Sequence, residues 1–385
     1  MNAPITIAGV LAMVVFAGAV RAGQLPPASL DTLLEPIRAT NNLPALAAAV
    51  VRGGETVAVG TVGIRKEGAP ERVTVTDKWH IGSCTKSMTA VLAAMLVEEG
   101  KLRWDMTLAE MFPHLAPQMQ AEWRGVTLEQ LLTHHGGAPN ELNEDGLWGR
   151  LWERVGQPPQ EQREYLTREL LTKQKPVAPP GTKYIYANAG YALVGHAIET
   201  RLGQPWEDAL RERLFKPLGM DSAGFGAPAT VGRVDQPWGH IVGAGGERKP
   251  IPPGPKADNP AAIGPGGTVH CSIGDLARYA AFQVRGARGE ATLLKAETFK
   301  KLHTPFGRDG DYACGWIVTR RPWGGGEVLM HNGSNTMNFT VIWLAPKKDF
   351  AVVVCTNLGG DGAEKAADAA AWALIQKFLG QEVRQ

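Results

Sequence analysis

The serine and the lysine of Ser83-x-x-Lys86 lie three residues apart at the start of a predicted helix. Apolar residues within 88–96 recur at the i, i+3, i+4, i+7 and i+8 spacing of an amphipathic helix, and Gly100 is suited to end that helix at C′. Because a helix has 3.6 residues per turn, the Ser83 and Lys86 side chains leave the same face of the first turn. We therefore expect the hydroxyl and the amine to lie within proton-transfer distance.

The pair has the chemistry of a nucleophile and its base. A serine hydroxyl is a weak nucleophile until a neighbouring group takes its proton, and a helix N-terminus supplies backbone N–H groups to an oxyanion that forms beside it. Ser-x-x-Lys is one of the motifs of serine acyl-enzyme catalysis. The same spacing also fits a serine that caps the helix and a solvated first-turn lysine, so the motif alone leaves both interpretations open.

Two later segments carry residues that suit the same reaction. Tyr186 and Asn188 stand two residues apart in a predicted loop before a helical run. A tyrosine beside a lysine ammonium has its phenolate stabilised, so it can act as the base that relays the serine proton. His331 ends a β run and is followed by Asn332-Gly333-Ser334, where it could hold or protonate a leaving group. The alternatives are a tyrosine packed under a loop and a strand-end histidine bonded to a carbonyl.

The predicted elements indicate how these segments meet. β runs lie near both ends of the chain, at 45–52, 56–64, 312–319, 327–331, 338–344 and 350–356. A short helix is predicted at 28–40 and an amphipathic helix at 363–379. The stretch 104–226 is mainly helical, and the Gly- and Pro-rich stretch 237–267 is predicted to be loop. A helix start is predicted at Ser272, which would cap it.

These patterns predict an α+β fold, in which an antiparallel sheet is assembled from both ends of the chain and flanked by terminal helices. The sheet domain comprises residues 28–103 plus 262–380, and an inserted, mainly helical domain comprises residues 104–261. The active site is expected in the crevice between the two lobes.

In this order and spacing, the three motifs resemble those of the class C β-lactamase-related serine hydrolase superfamily. That superfamily includes AmpC-type β-lactamases, DD-carboxypeptidases, family VIII carboxylesterases and D-aminopeptidases. The similarity runs from about residue 30 to 378 and includes the connecting segments Leu131-Leu-Thr-His-His-Gly-Gly-Ala-Pro and Gly264-Pro-Gly-Gly-Thr. The resemblance implies a β-lactamase/DD-peptidase-like fold.

The resemblance also implies a role for each matching residue. Ser83 would be the acylated nucleophile, Lys86 its activating partner, Tyr186 the general base and later acid, and Asn188 an orienting amide. The backbone N–H groups of Ser83 and Ser334 would form the oxyanion hole, beside Gly333. His331 would take the place of the lysine that β-lactamases carry in the third motif.

That replacement affects the expected substrate. A fixed ammonium would attract the carboxylate of a β-lactam or a terminal peptide, whereas a neutral histidine offers only a hydrogen bond at pH 7. We therefore expect a serine hydrolase that cleaves carboxylic esters or amides, with carboxylesterase activity. The alternatives are a DD-carboxypeptidase-like or D-aminopeptidase-like peptidase, a weak β-lactamase, and a slowly deacylating penicillin-binding or sensor protein.

Composition narrows the partners. The 385 residues carry a formal net charge of +2 without a basic or acidic block, which argues against nucleic acid and polybasic membrane binding and favours a small-molecule or short-peptide substrate.

The four cysteines are widely spaced and show no C-x-x-C, so neither metal nor cofactor is expected, and pairing of Cys314 with Cys355 stays open. The adjacent His134-His135 cannot share a helical face and is given a structural role. No Gly-x-Ser-x-Gly elbow occurs, which excludes an α/β-hydrolase.

The N-terminus has the pattern of an export signal. Residues 5–20 form an apolar run that is short for a membrane span, and Val20-Arg-Ala-Gly resembles a small-residue cleavage site. We expect a signal peptide at 1–22 that is cut after Ala22, a secreted or periplasmic location, and no stable membrane partner after cleavage. A retained N-terminal anchor is the alternative, because no Lys or Arg precedes the apolar run.

Overall fold

The structure, a computed structural model, describes residues 26–307 and 310–380. Its helices, α1 to α12 in chain order, are Asp31–Thr40, Thr85–Glu98, Leu108–Met111, Leu128–Leu132, Leu147–Trp152, Pro159–Lys173, Asn188–Leu202, Trp206–Leu210, Lys216–Leu218, Ile273–Ala287, Ala296–Leu302 and Asp361–Leu379. Its strands, β1 to β12, are Ala28–Ser29, Ala45–Arg52, Glu55–Gly63, Lys78–His80, Gly224–Phe225, His240–Val242, Arg248–Pro250, Val269–Ser272, Ile317–Arg321, Gly326–Ser334, Phe339–Ala345 and Phe350–Thr356. The signal peptide predicted at 1–22 lies outside the described residues.

The main sheet takes its strands from both ends of the chain. Its order is β1-β3-β2-β12-β11-β10-β9, and every neighbouring pair is antiparallel except β1 and β3. The central pair joins the N-terminal and C-terminal parts of the chain, with Val50 opposite Val352. The predicted α+β fold with an antiparallel sheet built from both ends of the chain is thus confirmed.

Helices cover both faces of this sheet. On one face, α1 and α12 bury residues such as Leu34 and Leu374 in the same core as Val50 of β2. The preceding residue, Ala49, points to the opposite face, where it shares a second core with Leu276 of α10 and with α2. Because the sheet is covered on both sides, β2 reads as a continuous apolar run. No helix in the described part of the chain is long and apolar enough to cross a membrane.

Several predicted boundaries shift where an element depends on a distant partner. Helix α1 begins only at Asp31, because residues before it form β1 and pair with β3. The stretch 237–267 is more than loop, since it contains the β6–β7 hairpin and the 3-10 turn Ala261–Gly266. The predicted cap is confirmed, because the Ser272 hydroxyl accepts a hydrogen bond from the Asp275 N–H at 3.2 Å. All four cysteines are free and buried, so a Cys314–Cys355 disulfide is excluded.

A fully buried arginine ties the helical part of the chain to the turn Ala261–Gly266. The Arg163 guanidinium contacts Glu199 at 2.5 Å and Glu207 at 2.6 Å, and also donates to the Ala261 carbonyl at 3.0 Å. Arg163 and the Glu199 side chain are 0% exposed. The arginine therefore balances two carboxylates in the protein interior and holds the turn in place.

We expect Arg163→Met to destabilise the fold by about 3–5 kcal/mol, because it leaves two buried carboxylates without a counter-charge. Denaturant unfolding measures the difference. The matched control is Arg168→Met on the same helix, whose ion pair with Glu164 is 46% and 50% exposed and should contribute less than about 1 kcal/mol. Equal losses in the two variants would contradict the structural role of Arg163.

Candidate active site

Ser83 stands in a 3-10 turn, Gly82–Cys84, that leads directly into α2. The helix predicted to start near Ser83 is confirmed as α2, Thr85–Glu98, and Gly100 follows its C-cap Glu99 with a φ of +71°, a left-handed conformation that glycine adopts freely. The turn touches the end of β10. A Cβ on Gly333 would come within 2.6 Å of the Ser83 nitrogen, and one on Gly82 within 2.4 Å of the Ser334 nitrogen. The two predicted oxyanion-hole donors therefore belong to backbone segments in direct contact.

The Lys86 amine is completely buried and makes three polar contacts. Its Nζ lies 3.0 Å from Ser83 Oγ, 2.7 Å from Asn188 Oδ1 and 2.7 Å from the Gly266 carbonyl oxygen. The two carbonyl oxygens can only accept hydrogen bonds, so they take two N–H bonds of a neutral amine. Its lone pair then has one polar partner left, the Ser83 hydroxyl. The geometry therefore fits an amine that receives the serine proton.

The electrostatic surroundings favour that neutral form. Burial lowers the pKa of Lys86 from its usual 10.5 to about 7. A large fraction of the amine is therefore unprotonated at neutral pH, as a general base must be.

Tyr186 is placed beside Ser83 but does not have the protonation state expected from the sequence. Burial raises the pKa of Tyr186, and the Ser83 side chain opposes this only in part. The Lys86 Nζ lies over the phenol ring, 4.6 Å from its centroid. Desolvation is the largest cause of this shift and favours the protonated phenol, whereas the sequence suggested a phenolate stabilised by Lys86. Tyr186 is a protonated phenol, suited to donate a proton.

Asn188 is the first residue of α7, not a loop residue, and its side chain reaches across to Lys86. Gly266 also packs closely against this side chain, since a Cβ added to Gly266 would lie 3.1 Å from Asn188 Oδ1. The amide thus fixes the direction of the lysine amine, as an orienting group would.

His331 is buried and closed to ligands, which does not match the leaving-group role considered from sequence. Its side chain is 2% exposed, its Nδ1 donates to the Asn332 carbonyl, and its Nε2 lies 2.9 Å from the Tyr312 hydroxyl. Burial lowers the pKa of His331 to about 3, so the ring is neutral. The bond to a carbonyl matches the alternative interpretation, but His331 lies within β10 and not at the end of a strand.

His134 is a site residue that sequence reasoning assigned to structure alone. Its ring centroid lies 4.4 Å from that of Tyr186 and 4.7 Å from that of Tyr312, and its Nδ1 accepts the Ala187 N–H at 3.1 Å. Its backbone has a φ of +62°, which is uncommon for a residue other than glycine and costs energy. His134 therefore holds the ring and the backbone next to Tyr186. The Leu131 to Pro139 segment of the resemblance was the only sequence signal for it.

A cavity of about 300 Å³ opens beside the nucleophile. Asn188 and Ser334 line both this cavity and the small recess at Ser83. Most of the other lining side chains are amides or apolar groups, and Glu141 is the charged one. These other lining residues are Asn140, Glu141, Leu142, Asn143, Trp148, Ala189, Asn259, Ile263, Asn335 and Thr336. Among the residues that the structure describes, neither lining contains an arginine or a lysine. Within residues 26–307 and 310–380, no group of three or more His, Cys, Asp or Glu side chains is arranged to hold a metal ion.

The chain is similar to several known proteins. The family model described as Beta-lactamase matches residues 30–377. Penicillin-binding protein 4 of Amycolatopsis lactamdurans is 26% identical over 337 residues, or 84% of each chain. Unguisins hydrolase ungD' of Aspergillus campestris is 27% identical over 330 residues, or 82% of this chain and 59% of that protein. The solved structure of the octameric penicillin-binding protein homologue from Pyrococcus abyssi has a TM-score of 0.72 and 25% identity, and covers 90% of this chain and 78% of that one.

Proposed function

The chain belongs to the beta-lactamase family, a family of serine hydrolases, and from that premise we propose that it hydrolyses carboxylic esters and amides through an acyl-Ser83 intermediate. The single observation that carries the proposal is the contact between the buried Lys86 amine and Ser83 Oγ at 3.0 Å. A neutral amine whose other polar contacts are both carbonyl oxygens has the serine hydroxyl as its remaining partner.

In the acylation step, Ser83 Oγ attacks the carbonyl carbon of the substrate while its proton passes to the Lys86 amine. The negative charge that develops on the carbonyl oxygen is stabilised by the backbone N–H groups of Ser83 and Ser334. When the tetrahedral intermediate collapses, the bond to the leaving group breaks and Tyr186 donates the proton that the leaving group needs. The Lys86 ammonium then restores the proton of Tyr186 and becomes neutral again.

In deacylation, Lys86 again acts as the base. A water molecule attacks the acyl carbonyl, and Lys86 takes one of its protons. Collapse of the second tetrahedral intermediate breaks the bond to Ser83 Oγ, which regains its proton from Lys86. The net reaction consumes one water and gives a carboxylic acid and an alcohol or amine.

Two features support substrates that lack a carboxylate at the leaving-group side. His331 stands where a third-motif lysine would present an ammonium, and it is neutral and bonded at both ring nitrogens. The cavity beside Ser83 offers amide groups to a substrate, without an arginine or lysine among its described lining residues. Esters and uncharged amides fit these surroundings better than β-lactams, whose carboxylate needs a cation.

We expect turnover of a short-chain p-nitrophenyl ester to exceed that of a chromogenic cephalosporin and of a D-alanyl-D-alanine peptide. Steady-state rates on the three substrates measure the order. Ser83→Ala should abolish ester turnover, whereas Ser87→Ala, one residue beyond Lys86 and bonded to the Cys84 carbonyl at 2.9 Å, should retain it. Preference for the peptide or the cephalosporin would contradict the esterase proposal. A single burst of product with no further turnover would indicate a slowly deacylating binding protein.

A further inference from the structure

A buried carboxylate that none of the motifs contains lies behind the nucleophile turn. Asp258 is 6% exposed. Its Oδ2 accepts hydrogen bonds from His80 Nε2 at 2.7 Å and Thr268 Oγ1 at 2.8 Å. Its Oδ1 accepts from the Asn259 N–H at 2.8 Å and from Asn335 Nδ2 at 3.3 Å. Both oxygens are thus surrounded by donors, which suits an acceptor-only carboxylate.

The histidine next to it is held in one tautomer. His80 is 1% exposed, and its Nδ1 accepts the Gly82 N–H at 3.2 Å. A backbone N–H can only donate, so His80 Nδ1 carries no proton and the ring proton is on Nε2, where Asp258 accepts it. The carboxylate therefore selects the tautomer that can hold the backbone of Gly82.

Asp258 is thus linked to both halves of the predicted oxyanion hole, by one arm through His80 and by a second arm through Asn335. Through His80, Asp258 fixes Gly82, which immediately precedes Ser83. Through Asn335, it holds the residue that immediately follows Ser334. The connection spans 178 residues of sequence on the first arm and 77 on the second.

We propose that Asp258 and His80 are positioning residues that set the separation of the Ser83 and Ser334 N–H groups and thereby stabilise the tetrahedral intermediate. The inference rests on the proposed acyl-Ser83 function. Neither side chain touches the reacting atoms, so their effect should fall on the transition state and not on substrate binding.

Asp258→Asn tests the carboxylate. An amide presents one acceptor and one donor, so one arm must face an NH₂ group instead of an oxygen. If the NH₂ faces His80, the ring has to move its proton to Nδ1 and loses Gly82; if it faces Asn335, the Ser334 side is released. We expect kcat for the ester to fall about 10- to 100-fold, below the full loss of an oxyanion-hole donor, with KM unchanged. Affinity for phenylboronic acid, which forms a tetrahedral adduct with a reactive serine, should fall by the same factor.

Two substitutions at His80 separate its two bonds. Asn places an oxygen near the position of Nδ1 and can still accept the Gly82 N–H, whereas Gln places an NH₂ near Nε2 and retains only the bond to Asp258. We therefore expect His80→Asn to keep several-fold more kcat than His80→Gln. The reverse order would overturn the proposal.

The matched control is Asp77→Asn. Asp77 is also a buried carboxylate, three residues before His80, and it accepts bonds from Arg65 at 2.6 and 2.8 Å and from the Thr74 N–H at 3.2 Å. Its loss should lower the melting temperature without lowering kcat or boronate affinity. A drop in kcat equal to that of Asp258→Asn would show that disturbing the surroundings of β4 is enough to slow the reaction, and it would overturn the inference.

Boronate binding distinguishes failure of the proposed function from failure of the positioning role. Wild-type protein that binds phenylboronic acid more tightly than Ser83→Ala but turns over no ester would refute the proposed esterase function and leave Asp258→Asn a valid test of positioning. Wild-type binding no tighter than that of Ser83→Ala would overturn both.

Discussion

Replacing Lys86 with methionine should lower kcat for a p-nitrophenyl ester by about 10³- to 10⁴-fold, the upper range for loss of a general base. Methionine is one heavy atom shorter than lysine and cannot take the proton of Ser83, whose Oγ the lysine amine contacts at 3.0 Å. The fold should persist, because a thioether tolerates a fully buried position better than an amine does. Thermal unfolding beside the kinetic assay verifies this.

Lys86→Arg is the matched control for charge. A guanidinium cannot lose its proton at these pH values, so it keeps a cation near Ser83 and removes the base. We expect this variant to be as inactive as Lys86→Met. Activity close to that of the wild type would mean that Lys86 acts through its charge, which would contradict the proton-transfer assignment.

The pH dependence of the wild type follows from the same lysine. The reactive form is the neutral amine, and burial brings the pKa of Lys86 down to about 7. Below that pH the amine is protonated, so kcat/KM should fall about tenfold per pH unit, and above it the value should level off. A flat profile between pH 5 and 7 would exclude Lys86 as the base.

Tyr186→Phe should reduce hydrolysis by an amount that depends on the leaving group. Burial raises the pKa of Tyr186, so its hydroxyl is protonated and can serve as a proton donor. An alkyl ester needs that proton, because an alkoxide is a poor leaving group, and we expect a loss of about 10²- to 10³-fold. p-Nitrophenolate leaves without protonation, so its ester should lose much less. Steady-state rates of Tyr186→Phe and the wild type, on the ethyl and p-nitrophenyl esters of one acid, measure the difference.

Tyr184→Phe supplies the control for Tyr186. Tyr184 is two residues earlier and 45% exposed, and its ring lies 5.8 Å from that of His134. Removing its hydroxyl should leave both esters almost unaffected. If Tyr186→Phe instead slowed both esters equally, the tyrosine would act in the deprotonation of Ser83 and not on the leaving group.

Taken alone, the sequence determined the features that depend on neighbours in the chain. The apolar spacing within 88–96 located α2, and helix geometry then placed Ser83 and Lys86 on one face. The apolar runs at both ends of the chain predicted the sheet, because strands covered on two faces must be apolar throughout. Spacing and order of the motifs identified the family, which the comparison over residues 30–377 confirms.

Only the tertiary structure decided how those residues behave. The pKa of Lys86 and that of Tyr186 depend on burial by segments that are remote in sequence, and the partner of Lys86, Asn188, is 102 residues away. His331 is closed off by Tyr312, and Asp258 meets His80 across 178 residues. Residue type and local spacing specify which groups are present, whereas desolvation and hydrogen-bond partners arise only when distant segments pack together, and these set the protonation state of each group.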